Sequence, residues 1–275
     1  VLSVLKGVTI SSGNDATVAL AEHIAGSVDA FADVMNQHAQ LLGMNSSHFM
    51  NPHGLTHDDH YTTARDMARL AQATIIDFPE RYKLYAMKSF TYNNIKQTNR
   101  NRLLWRDPSV DGLKTGHTDR AGYCLVASAK KDDMRLISVV MGAKSDQARM
   151  RESQKLLSYG FRYYKTLKLY NANDVVTEQR LFGGENDMIN LVASQDVYVT
   201  VPRSQKDDID AEVQVDSFIE APVKAGAQLG DVVIKLADEV LLKQSLVAEQ
   251  DEESGGIFAM LWGKIQMFFA QLIEG

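Results

Sequence analysis

The sequence predicts an α+β chain: helices precede an antiparallel hairpin, a small β-rich region follows, and an amphipathic helix closes the chain. Three observations lead there. Apolar residues recur at helical spacing up to about Ala73, alternation of period two sets in beyond Pro79, and a dense apolar run follows Gly255 and Gly256.

In the first stretch, from Ala16 to about Ala73, Phe31, Val34, Met35, Leu41 and Leu42 share a helical face, and Gly43 stands where a helix stop belongs. Another helix starts near Thr63, because Thr63-Ala-Arg-Asp66 resembles a capping box and Met67, Leu70, Ala71 and Ile75 follow at helical spacing. Beyond Pro79, Ser89 to Asn93 reads as a strand. Tyr123 to Ala129 and Leu136 to Met141 read as a hairpin joined by Lys130-Lys-Asp-Asp133. A helix from about Asp146 carries Leu156, Leu157 and Phe161 and ends the first domain, residues 1–165.

In residues 166–252, Val197, Val199 and Val201 alternate with polar residues, as do Ala211, Val213 and Val215, with glycines at 183, 184, 226 and 230 as turns. This predicts a small β domain. In residues 253–275, Ile257, Phe258, Leu261, Trp262, Ile265, Phe268, Phe269, Leu272 and Ile273 fall on one helical face. Such a helix either docks on the protein or lies in a membrane interface, and the Gly-Gly entry and terminal position favour the interface, through residues 255–275. Spanning is disfavoured, because Lys264, Gln266 and Gln271 interrupt a run that barely reaches the roughly 20 residues a bilayer needs.

Composition narrows the function classes. The net charge of −6 is uneven: between Gln205 and Glu253 thirteen acidic side chains stand against four basic ones, which leaves about +3 elsewhere. No block of lysine and arginine interleaved with aromatics is present, so nucleic acid is not an expected partner. The single cysteine, Cys124, excludes an intramolecular disulfide and a cysteine-based zinc site, and its apolar neighbours read as a buried strand. His48, His53, His57 and His60 with Asp58 and Asp59 suggest a metal site at first sight. No helical face collects them around Pro52 and Gly54, so solvated loop polarity suffices and neither metal nor cofactor is expected. Val1 opens in mid-pattern with neither a start methionine nor a basic leader, and a truncated N-terminus is the expectation.

Two triplets carry the chemistry: Ser12-Gly13-Asn14 at a helix start and Lys114-Thr115-Gly116 before the hairpin. Either alone reads as an N-cap or a turn. In this order they match two of the three motifs of serine acyl-transfer enzymes that bind penicillin, with Gly13 replacing the usual aspartate. The match extends through Ser12-Gly-Asn-Asp-Ala16, Ser47-His-Phe-Met-Asn-Pro-His-Gly-Leu55, Ala64-Arg-Asp-Met-Ala68, Asn99-Arg-Asn101, Leu103-Leu-Trp105 and Asp111-Gly-Leu-Lys-Thr-Gly-His-Thr118. On these residues the chain resembles the D-alanyl-D-alanine carboxypeptidases of the penicillin-binding protein 5 and 6 type, over nearly its whole length.

The resemblance implies a β-lactamase/transpeptidase-like catalytic domain, N-terminally truncated here, a β-rich second domain, and a helix holding the protein to the outer, periplasmic face of the cytoplasmic membrane. It implies removal of the terminal D-alanine from peptidoglycan stem pentapeptides through an acyl-enzyme, and acylation by β-lactam antibiotics. Ser12 would relay the proton to the leaving D-alanine, while Asn14 orients the substrate amide and a catalytic lysine. Lys114 would supply positive charge beside Ser12 and the substrate carboxylate, Thr115 a hydroxyl to that carboxylate, and Gly116 room for substrate along the strand. The backbone N–H of His117 would be an oxyanion donor. Arg149 matches a family position near the carboxylate pocket and Arg100 another near the site, yet either reads equally as a surface or ion-pair residue.

The nucleophilic Ser-X-X-Lys of the family lies tens of residues before the Ser-Gly-Asn serine, whereas eleven residues precede Ser12 here. Ser3-Val-Leu-Lys6 stands too close to Ser12, and Ser128-Ala-Lys-Lys131 spans a strand end and a turn, so neither qualifies. The chain alone is therefore expected to be inactive. Competing readings are a class A-like β-lactamase, which would not usually carry the β domain and terminal helix, and a nucleophile-less peptidoglycan-binding scaffold.

Overall fold

The computed structural model describes the backbone of residues 1–274 and side chains up to Phe269, and the chain forms two compact units, Val1–Arg162 and Tyr163–Gly275. In the first unit, α1 (Leu2–Lys6) runs into a π-helical turn (Gly7–Ser11). Then come α2 (Asn14–Ala25), α3 (Val28–Leu41), α4 (Ala64–Asp77), α5 (Pro79–Tyr82), β1 (Ser89–Tyr92), β2 (Ile95–Thr98), α6 (Leu103–Arg106), β3 (Val110–Thr118), β4 (Gly122–Lys131), β5 (Met134–Ala143) and α7 (Asp146–Tyr163).

The expected hairpin is β4–β5, and β3 completes an antiparallel sheet in the order β3-β4-β5. The Lys114 strand is therefore an edge strand. Its register sets Lys114 opposite Val126, Gly116 opposite Cys124 and His117 opposite Tyr123. Leu103, Leu104, Val110, Leu125, Ala127, Met150 and Leu157 form the core that α6, α7 and the sheet share. The expected cap of α4 is present, with Asp66 N–H donating to Thr63 Oγ1 at 3.2 Å.

Two leucines on these helices are exposed, and Leu41 departs from its expected face. Leu41 is 81% exposed, because the buried row of α3 is Ala32 and Ala39 and Leu41 lies about 200° around the helix from Ala39. Leu156 is exposed for the same reason, one step of about 100° off the row Ser153, Leu157 and Gly160.

The second unit holds β6 (Tyr164–Tyr170), β7 (Val175–Phe182), β8 (Met188–Ala193), β9 (Val197–Pro202), β10 (Ile209–Val215), β11 (Ile219–Glu220), β12 (Gln228–Leu236), β13 (Glu239–Ala248) and α8 (Ile257–Glu274). A six-stranded sheet, β10-β12-β13-β8-β7-β11, and a two-stranded one, β6-β9, enclose Ile189, Leu191, Val197, Val232, Ile234 and Leu246.

Helix α8 touches this unit through Gly263, whose missing side chain lets it approach Gly183: a Cβ there would stand 2.4 Å from Gly183 N. Its large apolar side chains point elsewhere, with Phe258, Leu261, Trp262, Phe268 and Phe269 all exposed. Leu272 and Ile273, expected on the same face, lie outside the described side chains. No described helix is long and apolar enough to cross a membrane.

Candidate active site

The π-helical turn delivers Ser12 at φ 57°, ψ 44°. A non-glycine residue rarely occupies this left-handed region, and where it does a functional constraint is a common cause. Gly13 then caps α2 without any side-chain bond, so the Ser12 hydroxyl is not an N-cap and remains available to the far side of the unit. There it accepts a hydrogen bond from Lys114 Nζ at 2.5 Å. Lys114 also donates to the Thr115 carbonyl at 2.8 Å. Burial, and after it the positive charges of Arg100 and Arg149, lowers the Lys114 ammonium from its ordinary 10.5 to about 8. A lysine so placed can exchange a proton with a hydroxyl near neutral pH.

Several residues that sequence reasoning missed hold β3 in position. Gly112 lies against Tyr82, whose hydroxyl would stand 2.2 Å from a Cβ at that position, and burial drives the Tyr82 phenol well above its ordinary value. Asp111 accepts from Ser128 Oγ at 3.0 Å and takes both terminal nitrogens of Arg135, at 2.9 and 2.7 Å. Asn101 Nδ2 donates to the Gly112 carbonyl at 3.0 Å, and Asn99 Nδ2 donates to the Tyr85 and Met87 carbonyls. The Asn-Arg-Asn run and Asp111 are visible in the sequence and Ser128 stands there only as a dismissed Ser-X-X-Lys match, but nothing in the pattern marks Tyr82 or Arg135.

The other expected site residues fall on α2, β3, the loop after β2 and α7. Asn14 is exposed as the first residue of α2, Thr115 is buried, and Gly116 and His117 are exposed on β3, the His117 ring lying 4.0 Å from that of Tyr123. Arg149 is no surface residue: it is 6% exposed, donates to the Gly116 carbonyl at 2.9 Å and the Cys124 carbonyl at 3.2 Å, and binds Asp146 at 2.5 Å. Its guanidinium thus ties β3 and β4 to α7. Arg100 stays exposed on the loop after β2. Ser128 is spent on Asp111, and Lys131 lies over the Phe161 ring at 4.7 Å; three apart on a strand, the two face opposite sides.

In the histidine loop each Nδ1 serves the backbone. That of His48 donates to the Asp59 carbonyl, and those of His53, His57 and His60 accept from Leu55, Asp59 and Met50 N–H groups. Among the described residues no group of three or more ligating side chains could hold a metal ion. Cys124 is half-buried on β4 and lines a cavity of about 500 Å³, mostly apolar, that reaches Lys114 and Thr115.

Two families match the chain: D-alanyl-D-alanine carboxypeptidase over residues 1–145, and penicillin-binding protein 5, C-terminal domain, over residues 164–254. D-alanyl-D-alanine carboxypeptidase DacA of Haemophilus influenzae is 44% identical over 260 residues, covering 94% of this chain and 66% of the relative. DacC of Escherichia coli is 43% identical over 268 residues, covering 97% and 67%. The chain thus spans about two thirds of the length of these relatives. Among solved structures, penicillin-binding protein 5 from Haemophilus influenzae superposes with a TM-score of 0.80 at 42% identity, covering 92% of this chain and 74% of that one. Penicillin-binding protein D2 from Listeria monocytogenes, in its ampicillin-bound form, gives 0.54 at 32% identity over 57% and 66%.

Proposed function

The chain belongs to the D-alanyl-D-alanine carboxypeptidase family, and from that premise we propose that residues 1–165 form the proton-relay and recognition part of a serine-type D-Ala-D-Ala carboxypeptidase acting on peptidoglycan stem peptides. The observation that carries this is the 2.5 Å bond from Lys114 Nζ to Ser12 Oγ, between residues 102 apart and beside a free strand edge.

In the proposed reaction a serine attacks the carbonyl of the penultimate D-alanine, the C–N bond breaks, and water later releases the acyl group. Ser12, able to donate and accept at once, passes a proton to the leaving amine while Lys114 holds its hydroxyl. Substrate lies along β3 past Gly116, its terminal carboxylate against Thr115 Oγ1 and in the positive field of Lys114, Arg100 and Arg149. Asn14 turns the substrate amide, and the His117 N–H receives the oxyanion. A β-lactam enters the same site as a substrate mimic.

The nucleophile is not among these 275 residues on this reading. Ser3 is exposed on α1, and among the described residues no hydrogen bond joins it to Ser12 or Lys114. The chain alone is therefore inactive. Residues 166–252 act as a β-rich support domain, and residues 253–275 hold the protein peripherally to the outer face of the cytoplasmic membrane. The exposed apolar face of α8 supports that attachment.

The test is Ser12→Ala in the protein read from its full coding sequence, assayed on an acyl-D-Ala-D-Ala peptide. Loss of a positioned proton relay lowers kcat/KM by about a hundredfold. An unchanged rate overturns the relay.

A further inference from the structure

A second cavity, of about 690 Å³, opens between the loop after β2, helix α6, the Tyr123 end of β4 and the start of α7. Arg100, Arg102, Arg106 and Arg149 line it against one carboxylate, Asp146, a surplus of three positive charges (four minus one). Asp146 is already matched, since Arg149 binds Oδ1 at 2.5 Å and Arg102 Nε stands 3.3 Å from Oδ2. Among the described residues Arg100 and Arg106 have no carboxylate partner.

Arg149 links the cavity wall to the Lys114 strand, donating to the Gly116 carbonyl at 2.9 Å. Arg100 and Arg149, the two charges that depress the Lys114 ammonium, are also walls of this cavity. A peptide whose terminal carboxylate rests at Lys114 and Thr115 carries only one side chain within a bond or two of that carboxylate, that of its last residue. We infer that the cavity is a subsite for an anionic side chain on the residue that leaves, so that peptides ending in an acidic D-residue, D-aspartate or D-glutamate, are accepted as well as those ending in D-alanine. This rests on the proposed function and names a substrate class for it. A guanidinium binds a carboxylate through two parallel N–H groups. Asp146 takes Arg102 and Arg149, and the terminal carboxylate lies in the field of Arg100 and Arg149, so exposed Arg106 is the side chain left for a second carboxylate, and the methyl of D-alanine leaves it unused.

The experiment compares acyl-D-Ala-D-Glu with acyl-D-Ala-D-Ala in the protein read from its full coding sequence, for the natural residue, Arg106→Ala and Arg106→Lys, at low and high salt. The ratio of kcat/KM for the acidic peptide over the neutral one falls by about fivefold in Arg106→Ala and falls with salt, as for a partly exposed ion pair, and Arg106→Lys restores part of it. Cleavage of the D-Ala-D-Ala peptide with a ratio indifferent to Arg106 and to salt overturns the subsite and leaves the carboxypeptidase reading intact. If neither peptide is cleaved, that reading fails and binding decides the subsite. On the 275-residue chain, in a Trp262→Phe background, the remaining tryptophan is Trp105, on the cavity wall. Saturable quenching by acetyl-D-Ala-D-Glu, weakened by Arg106→Ala, upholds the subsite, and no quenching overturns it.

Discussion

Replacing Lys114 by methionine removes an ammonium that the fold holds below its ordinary value, and the consequence for stability has a definite sign. The folded pKa, about 8 against an ordinary 10.5, is depressed chiefly by burial. For a lysine this is a penalty on the folded state, fully present below about pH 8 and relieved as pH rises toward 10.5. The gap corresponds to about 3 kcal/mol at 1.36 kcal/mol per pH unit, a ceiling for a side chain only partly buried. Against it stand two lost hydrogen bonds, to Ser12 Oγ and the Thr115 carbonyl, at about 1 kcal/mol each. Lys114→Met therefore stabilises the first unit by at most about 1 kcal/mol at pH 7, or at most about 2–4 °C in its unfolding midpoint, and abolishes turnover in the protein read from its full coding sequence. The assay is thermal unfolding followed by Trp105 fluorescence in a Trp262→Phe background, at pH 7 and pH 10.5. At the higher pH the variant loses its advantage and becomes the less stable protein. A variant less stable at pH 7 by more than 1 kcal/mol, or a difference indifferent to pH, refutes the reasoning.

Three further outcomes are expected. Gly112→Ala drives a methyl into the Tyr82 hydroxyl and costs about 3 kcal/mol by overpacking. Tyr82→Phe in the same chain returns part of it in denaturant unfolding. Arg149→Lys keeps the charge but loses the fork that joins the Gly116 and Cys124 carbonyls to Asp146, so stability drops by about 2 kcal/mol. KM for an acyl-D-Ala-D-Ala peptide rises in the full-length enzyme with it. In vesicle sedimentation the chain binds lipid through α8, and Phe258→Ala with Trp262→Ala weakens binding by at least about tenfold, since each large apolar side chain withdrawn from water contributes on the order of 1.5–3 kcal/mol when fully buried. Binding indifferent to that pair contradicts a membrane role for the helix.

The parts of the fold legible in the sequence were those whose signals are local. Thr63 with Asp66 marked the start of α4, and the alternation through Tyr123–Ala129 and Leu136–Met141 marked β4 and β5. The Lys114 strand was harder to see as a strand, because Gly112 and Gly116 dilute its alternation and its conformation depends on Tyr82, Asn101 and the Asp111–Arg135 pair. The two triplets named Ser12 and Lys114, but not that Ser12 adopts a left-handed backbone or that the pair would touch across 102 residues. For Arg149 the sequence leaves a place near the carboxylate pocket and a surface or ion-pair role equally open; the ion pair is there, with Asp146, but spacing on α7 does not show that strand carbonyls also await its guanidinium. Leu41 leaves the face it shares by spacing with Phe31, Val34 and Met35 because periodicity fixes a face only to within a residue or so, and the small Ala39 takes the tight contact.

The central claim is that Ser12 is a relay serine held by Lys114 and not the acylated one. Labelling with a fluorescent penicillin followed by peptide mapping tests it most directly, on these 275 residues and on the protein read from its full coding sequence. The expected result is no label on the 275-residue chain, label on a serine outside it in the full protein, and slower labelling there in Ser12→Ala. Label mapping to Ser12 or Ser3, or no label in the full protein, would contradict it.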